Sequence, residues 1–127
     1  MLKIKVELEA LHGFLLVCDL FATQQTTMGM TKEIAKDCVL TYEETIIREG
    51  FAYPETVKLA IEIATPFAAE LAAKLLFKKL SGKVQKIKIE RVEIELDEDK
   101  IKRILLERIS AEDVPKSNAK NGKGRVP

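Results

Sequence analysis

The 127-residue chain lacks the short motifs that identify common enzymes. It contains no G-x-G-x-x-G, G-x-x-x-x-G-K, G-x-S-x-G or H-E-x-x-H sequence, which argues against the usual nucleotide-dependent and hydrolytic enzymes. Its one histidine, His12, has no nucleophile or carboxylate at a motif spacing, so we predict a structural or surface role for it. The sequence therefore predicts no catalytic residue and no cofactor. It leaves open an enzyme that gathers its groups from scattered positions.

Cysteine is scarce, and its placement argues against a metal centre. The chain has only Cys18 and Cys38, with no C-x-x-C pair. The alternative is a redox pair, or a metal site completed by His12 and Asp37. However, both cysteines lie on predicted apolar stripes, where a free thiol packs as a small hydrophobic group. We therefore predict core cysteines and no metal. Because the chain begins with a strand pattern rather than a secretory signal, we also predict a cytoplasmic protein with reduced thiols.

No charge of one sign dominates the chain. Lys and Arg number 21 against 20 Asp and Glu, so the net charge of +1 provides no global attraction for nucleic acid. A spanning helix needs about 20 mostly apolar residues, and the best candidate, 59–77, is interrupted by three charges. We therefore do not expect transmembrane insertion. Asparagine is absent before Asn118 while Lys, Glu and Ile are abundant, which is typical of a thermophilic source or an AT-rich genome.

The first part of the chain predicts a strand, an ambiguous segment and a helix. Residues 2–9 alternate apolar and charged side chains, which indicates a half-buried strand. Residues 10–22 fit a helical stripe, although Phe14–Val17 would also suit a buried strand, and we favour the helix. Thr31 is a suitable cap for a helix over 31–49 that ends at Gly50. Its acidic residues alternate with lysines and are predicted to face water rather than to form a carboxylate site; they are Glu33, Asp37, Glu43 and Glu44.

The second part predicts a long apolar helix, a β segment and a last helix. Pro54 suits a first helical position, so we expect a helix over 54–80 that Pro66 kinks or splits near Ala64 and Thr65. Within 84–96 the apolar residues change from odd-numbered positions just before Glu90 to even-numbered positions after Arg91. This change favours a hairpin that turns at Glu90 and Arg91, and one bulged strand is the alternative. Asp97 can cap the last helix. Together these elements predict an α+β fold with about three antiparallel strands packed against three to four helices, one of them a central Ala-rich helix. The fold is predicted to form a single domain over 1–112, followed by a flexible basic tail over 113–127.

The apolar helix is the main functional lead, because some surface must cover it. The simpler interpretation is a central helix wrapped by its own sheet. The sharper one is a non-enzymatic interaction or regulatory module that uses one face of 59–77 to bind another copy or another protein. The residues predicted for that face are Ile63, Phe67, Leu71, Ala72, Leu75 and Leu76.

Two alternative functions come from other classes. A small enzyme or ligand-binding protein would have a pocket between helix and sheet, with Tyr42, His12 and a carboxylate converging on it. A peripheral binder of nucleic acid or of a membrane surface would use a basic patch, although the aromatic platform for single-stranded nucleic acid is absent. The patch consists of Lys74, Lys78, Lys79 and Lys83, extended by Lys86 and Lys88.

Overall fold

The computed structural model describes residues 2–47 and 54–113, which form a six-stranded antiparallel sheet and three helices. In chain order the elements are β1 (Leu2–Ala10), α1 (Gly13–Phe21), β2 (Thr31–Ala35), β3 (Cys38–Ile46), β4 (Glu55–Ile63), α2 (Pro66–Leu80), β5 (Lys86–Ile89), β6 (Val92–Ile94) and α3 (Glu98–Asp113). The strands lie in the order β2-β3-β4-β1-β5-β6.

One face of the sheet carries the core. Ile4 and Leu8 of β1 are fully buried, and they lie opposite Ile61 and Val57 of β4 in the antiparallel register. These side chains form a single apolar cluster with residues of all three helices, so the helices cover the same face. The alanines of α2, buried at Ala68, Ala69, Ala72 and Ala73, let this helix approach the sheet closely.

The other face of the sheet, which we call the outer face, is charged. One row of directly paired residues crosses β3, β4, β1, β5 and β6, and the charge alternates in sign from each strand to the next. The residues of this row are Glu44, Lys58, Glu7, Lys88 and Glu93. Opposite charges on directly paired positions of adjacent strands stabilise a sheet by roughly 0.2–1 kcal/mol each. This half-solvated face is the ordinary arrangement for an antiparallel sheet with helices on one side.

The prediction of about three strands and three to four helices is wrong, and residues 31–49 are one source of the error. The predicted helix forms β2 and β3, which pair as a hairpin around Asp37, a residue in the left-handed region with φ 63°. Cys38 and Tyr42 are four residues apart, which suits one face of a helix and equally one face of a strand. The buried residues Cys38, Leu40 and Tyr42 show that the true period is two. The predicted end of this helix at Gly50 lies outside the described residues.

Residues 54–80 are the second source of the error. They form strand β4 and then helix α2, not one kinked helix. Thr65 is the N-cap of α2, where its hydroxyl accepts a hydrogen bond from the Ala68 N–H at 3.1 Å, and Pro66 takes the first helical position. Proline is favoured at that position because its missing N–H would have no partner there. Pro66 therefore marks the start of a helix rather than a kink.

Four predicted features are confirmed. The first strand is β1, and α1 is a helix rather than a returning strand. The hairpin of β5 and β6 has the predicted register, with Lys88 opposite Glu93, although β6 ends at Ile94. Asp97 caps α3 by accepting the Lys100 N–H at 3.1 Å. The predicted tail lies outside the described residues, apart from Asp113 at the end of α3.

The turn of the β5–β6 hairpin offers a test of the fold. Glu90 and Arg91 both have positive φ, 52° and 70°, a combination that favours Asn-Gly. Because the Arg91 side chain is exposed, Arg91→Gly relieves left-handed strain at little other cost, and we expect the free energy of unfolding to rise by about 0.5–1 kcal/mol in urea denaturation. The matched control is Gly82→Ala, which places a Cβ at φ 80° and lowers stability by about 1 kcal/mol. A loss of stability in Arg91→Gly would contradict this hairpin.

Candidate interaction surface

The structure separates the six residues predicted for an interaction face. Ile63 lies in β4 and not on the helix, while Ala72 and Leu76 lie on the inner side of α2, and all three are in the core. The other three lie on the outer side of α2, spaced four residues apart; they are Phe67, which is 68% exposed, and the half-buried Leu71 and Leu75. No continuous helical face runs over 59–77.

The predicted basic patch is also divided. The ammonium groups of Lys79 and Lys83 lie 3.6 and 3.1 Å from the carboxylate of Asp19 in α1. Lys74 and Lys78 are exposed on the outer side of α2. Lys86 and Lys88 belong to β5, where they pair with Glu9 and Glu7 of β1 on the outer face of the sheet.

An exposed apolar surface lies elsewhere, on α1 and the turn that precedes it. Leu11, Phe14 and Leu15 are 49%, 55% and 62% exposed, and the half-buried Cys18 follows one turn later. We call these four residues the α1 patch. The opposite side of the same helix is buried through Leu16, Val17, Leu20 and Phe21. The helix sequence GFLLVCDLF has one charged residue, so α1 is apolar on both sides, a property usually found in helices that are covered all round.

Backbone contacts hold α1 in place against the sheet. The Gly13 N–H donates to the Glu55 carboxylate at 3.0 Å. A Cβ at Gly13 would lie 2.5 Å from that oxygen and 3.2 Å from a methyl group of Val57, so a larger residue here would have to displace the Glu55 carboxylate. At the other end the helix stops at Ala22, which is left-handed with φ 52° and donates to the Cys18 carbonyl.

A cavity of about 400 Å³ opens beside the α1 patch. One wall is the start of α1, with Leu11, His12, Leu15 and Leu16, and the other is the loop 82–85 between α2 and β5. That loop is fixed at both ends, because the Lys83 N–H donates to the Leu80 carbonyl at 2.9 Å and the Gln85 N–H donates to the Glu9 carbonyl at 2.7 Å.

Asp19 ties α1 to the end of α2. Its carboxylate accepts a hydrogen bond from the Lys83 ammonium at 3.1 Å, with the Lys79 ammonium nearby. The Lys83 hydrogen bond, with the charges of both lysines, holds the pKa of Asp19 below its ordinary value, against an opposing effect of burial. Two ammonium groups share one carboxylate, so the cluster carries a net charge of +1.

A polar cavity of about 560 Å³ lies around the strand segments near Lys5 and Lys58. The charges that line it are largely paired within the chain, as Lys5 with Glu43, Lys58 with Glu44, and Arg108 with Glu90. These ion pairs are partly exposed, so they contribute little to stability. The lining has no excess of either sign and gives no preference for a charged ligand.

Among the described residues, Tyr42 does not line the cavity that His12 lines. The Tyr42 hydroxyl shares a hydrogen bond of 2.6 Å with Thr45, and the Tyr42 ring packs edge-on against Phe21 at 6.3 Å between centroids. His12 instead lines the apolar cavity. Within residues 2–47 and 54–113, no group of three or more His, Cys, Asp and Glu side chains is placed to hold a metal ion.

The α1 patch was missed because Leu11, Phe14 and Leu15 fit the apolar helical stripe predicted within 10–22, and such a stripe usually faces the core. A signal was present, since four consecutive apolar residues, Phe14–Val17, at 100° per residue cover nearly the whole circumference of a helix. A helix of this kind on the surface of a sheet exposes some of them. The burial of Leu16 and Val17 therefore leaves Phe14 and Leu15 outside.

Comparisons with protein-family models, with curated proteins and with solved structures give no significant match to the chain. In the part of the chain that the structure describes, no helix combines the length and the apolar character needed to cross a membrane.

The two thiols provide a test of this surface. Cys38 is fully buried, and burial raises its pKa to about 11, whereas Cys18 is half-buried at the edge of the α1 patch. Thiolate is the reactive form, so in dilute folded protein at pH 8 we expect a maleimide to label Cys18 alone, and Cys38 only after unfolding. Cys18→Ser is the control, and it should abolish labelling of the native protein. Rapid labelling of folded Cys18→Ser would show that Cys38 is not in the core.

Proposed function

We propose that the protein is a non-enzymatic interaction module that self-associates through the α1 patch. One observation carries this proposal, namely that Phe14 and Leu15, on a helix with a single charged residue, and Leu11, in the turn before that helix, are about half exposed. Contiguous apolar side chains on the surface of a domain mark interaction sites more often than scattered ones do. The predicted 59–77 face is thereby replaced by α1 as the proposed surface.

A second copy of the chain is the partner that the charges favour. In a two-fold symmetric contact the same residues face each other, so a charged surface brings like charges together. The outer side of α2 has this defect, because Lys74 and Lys78 lie beside Phe67 and Leu71. The α1 patch contains no charged residue, and the neighbouring Asp19 is already paired within the chain. Symmetric contact through α1 therefore places no charged residue at its centre, and the net charge of +1 of the Asp19, Lys79 and Lys83 cluster lies at its edge.

The edges of the sheet are poorer surfaces for self-association. Edge strand β2 carries Lys32 and Glu33 and an irregular register between Glu33 and Ala35, and edge strand β6 has only three residues. Charges, bulges and short length are the features that protect edge strands from pairing with another chain. A typical stable interface buries roughly 800 Å² on each partner. The α1 patch would form the apolar centre of such an interface, and the polar residues around the patch would form its rim.

The proposed site of action is a reducing compartment such as the cytoplasm. Cys18 and Cys38 are both free thiols, and Cys18 lies on the proposed contact surface. In an oxidising compartment an accessible cysteine there would cross-link or be capped.

The test compares two matched charge substitutions on different helices. Leu15 and Phe67 are similarly exposed, at 62% and 68%, so Leu15→Glu and Phe67→Glu cost little folding stability. We expect the natural chain to have the mass of a dimer by light scattering. Leu15→Glu should weaken association at least about 10-fold, because a carboxylate without a partner would be buried in the contact. Phe67→Glu should keep the mass of the natural chain.

Three results would contradict the proposal. A natural chain that stays monomeric at high concentration would remove self-association altogether. A folded Leu15→Glu variant with unchanged mass would exclude α1 as the contact. A monomeric Phe67→Glu variant beside an associated Leu15→Glu variant would assign the contact to the outer side of α2. Circular dichroism of each variant shows whether it has kept its fold.

A further inference from the structure

The cavity beside α1 has the size and lining of a small-ligand site. Its volume of about 400 Å³ falls within the roughly 300–1,000 Å³ of typical ligand pockets. Leu11, Leu15, Leu16 and Val84 make it mainly apolar, while the polar groups belong to His12, Lys83 and Gln85. An apolar body with a polar group at one end is the shape of ligand that such a lining accepts.

The walls of this cavity are held by hydrogen bonds within the chain. The glycine at the start of α1, Gly13, is fixed by Glu55 at 3.0 Å, and the opposite loop is fixed through the backbone of Lys83 and Gln85. Gly82, with φ 80°, makes the turn that brings this loop back from α2 toward β1. A site whose walls are already ordered avoids the entropic cost of ordering the protein when a ligand binds.

The rim of the cavity favours a negative charge. Lys83 lines the cavity, and its side chain is 53% exposed. Within the described residues its ammonium makes one hydrogen bond, to Asp19, although an ammonium group has three donors. Since Lys79 shares the same carboxylate, one positive charge at this rim is not neutralised. A monovalent anion could therefore bind Lys83 without displacing Asp19.

We propose that this cavity binds a monoanionic amphiphile, a carboxylate with a hydrocarbon chain of medium length. The chain would lie between Leu15 and Val84, and the carboxylate would accept hydrogen bonds from the Lys83 ammonium. A polyanion such as a nucleotide fits less well, because the lining is mostly apolar and offers one unneutralised positive charge. The lining belongs to one copy of the chain, so this inference goes beyond self-association, and Leu11 and Leu15 are the residues that the cavity shares with the α1 patch.

The first experiment is a calorimetric titration of the full chain with decanoate, kept below its micelle concentration. Two probes separate the tail from the head: decyltrimethylammonium has the same tail with a positive head, and butyrate has the same head with a short tail. We expect saturable binding of one decanoate per chain, and binding at least about 10-fold weaker for each of the other probes. Absence of saturable decanoate binding would overturn the proposal, and so would equal binding of the cation.

Substitutions then locate the bound decanoate. Lys83→Gln should weaken binding about 10-fold, which corresponds to the loss of one charge-assisted contact, while Lys78→Gln on the outer side of α2 is the matched control and should bind normally. Val84→Phe should abolish binding by filling the cavity. Phe14→Ser alters the α1 patch outside the cavity lining and should keep decanoate binding.

The outcomes separate this inference from the proposed function. If Phe14→Ser abolishes binding while Val84→Phe keeps it, the decanoate lies on the exposed patch and the cavity site is wrong. If Lys83→Gln binds as tightly as the natural chain, the assigned head-group contact is wrong. Light scattering on the same samples reports the association state independently, so loss of decanoate binding in a chain that still dimerises contradicts only the cavity site.

Discussion

The alternation of apolar and charged residues in β1 is the constraint on which the structure depends. Ile4, Val6 and Leu8 face the core, and the two residues between them, Lys5 and Glu7, face away from it. Because β1 lies between β4 and β5, its register decides which face of each neighbour is apolar, and a shift of one residue would bury charges. The same register pairs Glu7 with Lys58 on one side and with Lys88 on the other. One alternating strand therefore specifies both the core and the charged outer face.

Coverage of a single face limits what the helices can bury. Helices α2 and α3 pack against each other on that face, and α1, nine residues long, crosses the end of the sheet near Glu55. A helix in that position has one side on the core and one side in solvent. Its inner side accounts for Leu16 and Leu20, and no other described part of the chain buries Phe14 and Leu15. The apolar outer side of α1 thus follows from the architecture, and it leads to both the proposed contact and the cavity beside it.

The sequence was informative where local chemistry agreed with the final fold. The alternation in 2–9, the change of parity at Glu90 and Arg91, and the cap at Asp97 predicted β1, the β5–β6 hairpin and the start of α3. It misled where one pattern suits two structures. Cys38 and Tyr42 fit both a helical and a strand period. In β4 an apolar residue, Ala60, lies on the outer face at a position where a polar residue would have continued the alternation that marks a strand. The candidate site was missed for a related reason, since an apolar residue such as Leu15 is assigned to the core until the position of its helix is known.

The most direct test of the central claim is the change in backbone amide chemical shifts of the natural chain on dilution, measured by nuclear magnetic resonance. Residues at a contact between copies change environment as the copies separate. The account predicts that the largest changes occur over residues 11–18, with smaller ones in the loop 82–85, while the outer face of the sheet stays constant. Shifts that move mainly on the outer face or on the outer side of α2, or that do not move at all, would contradict it.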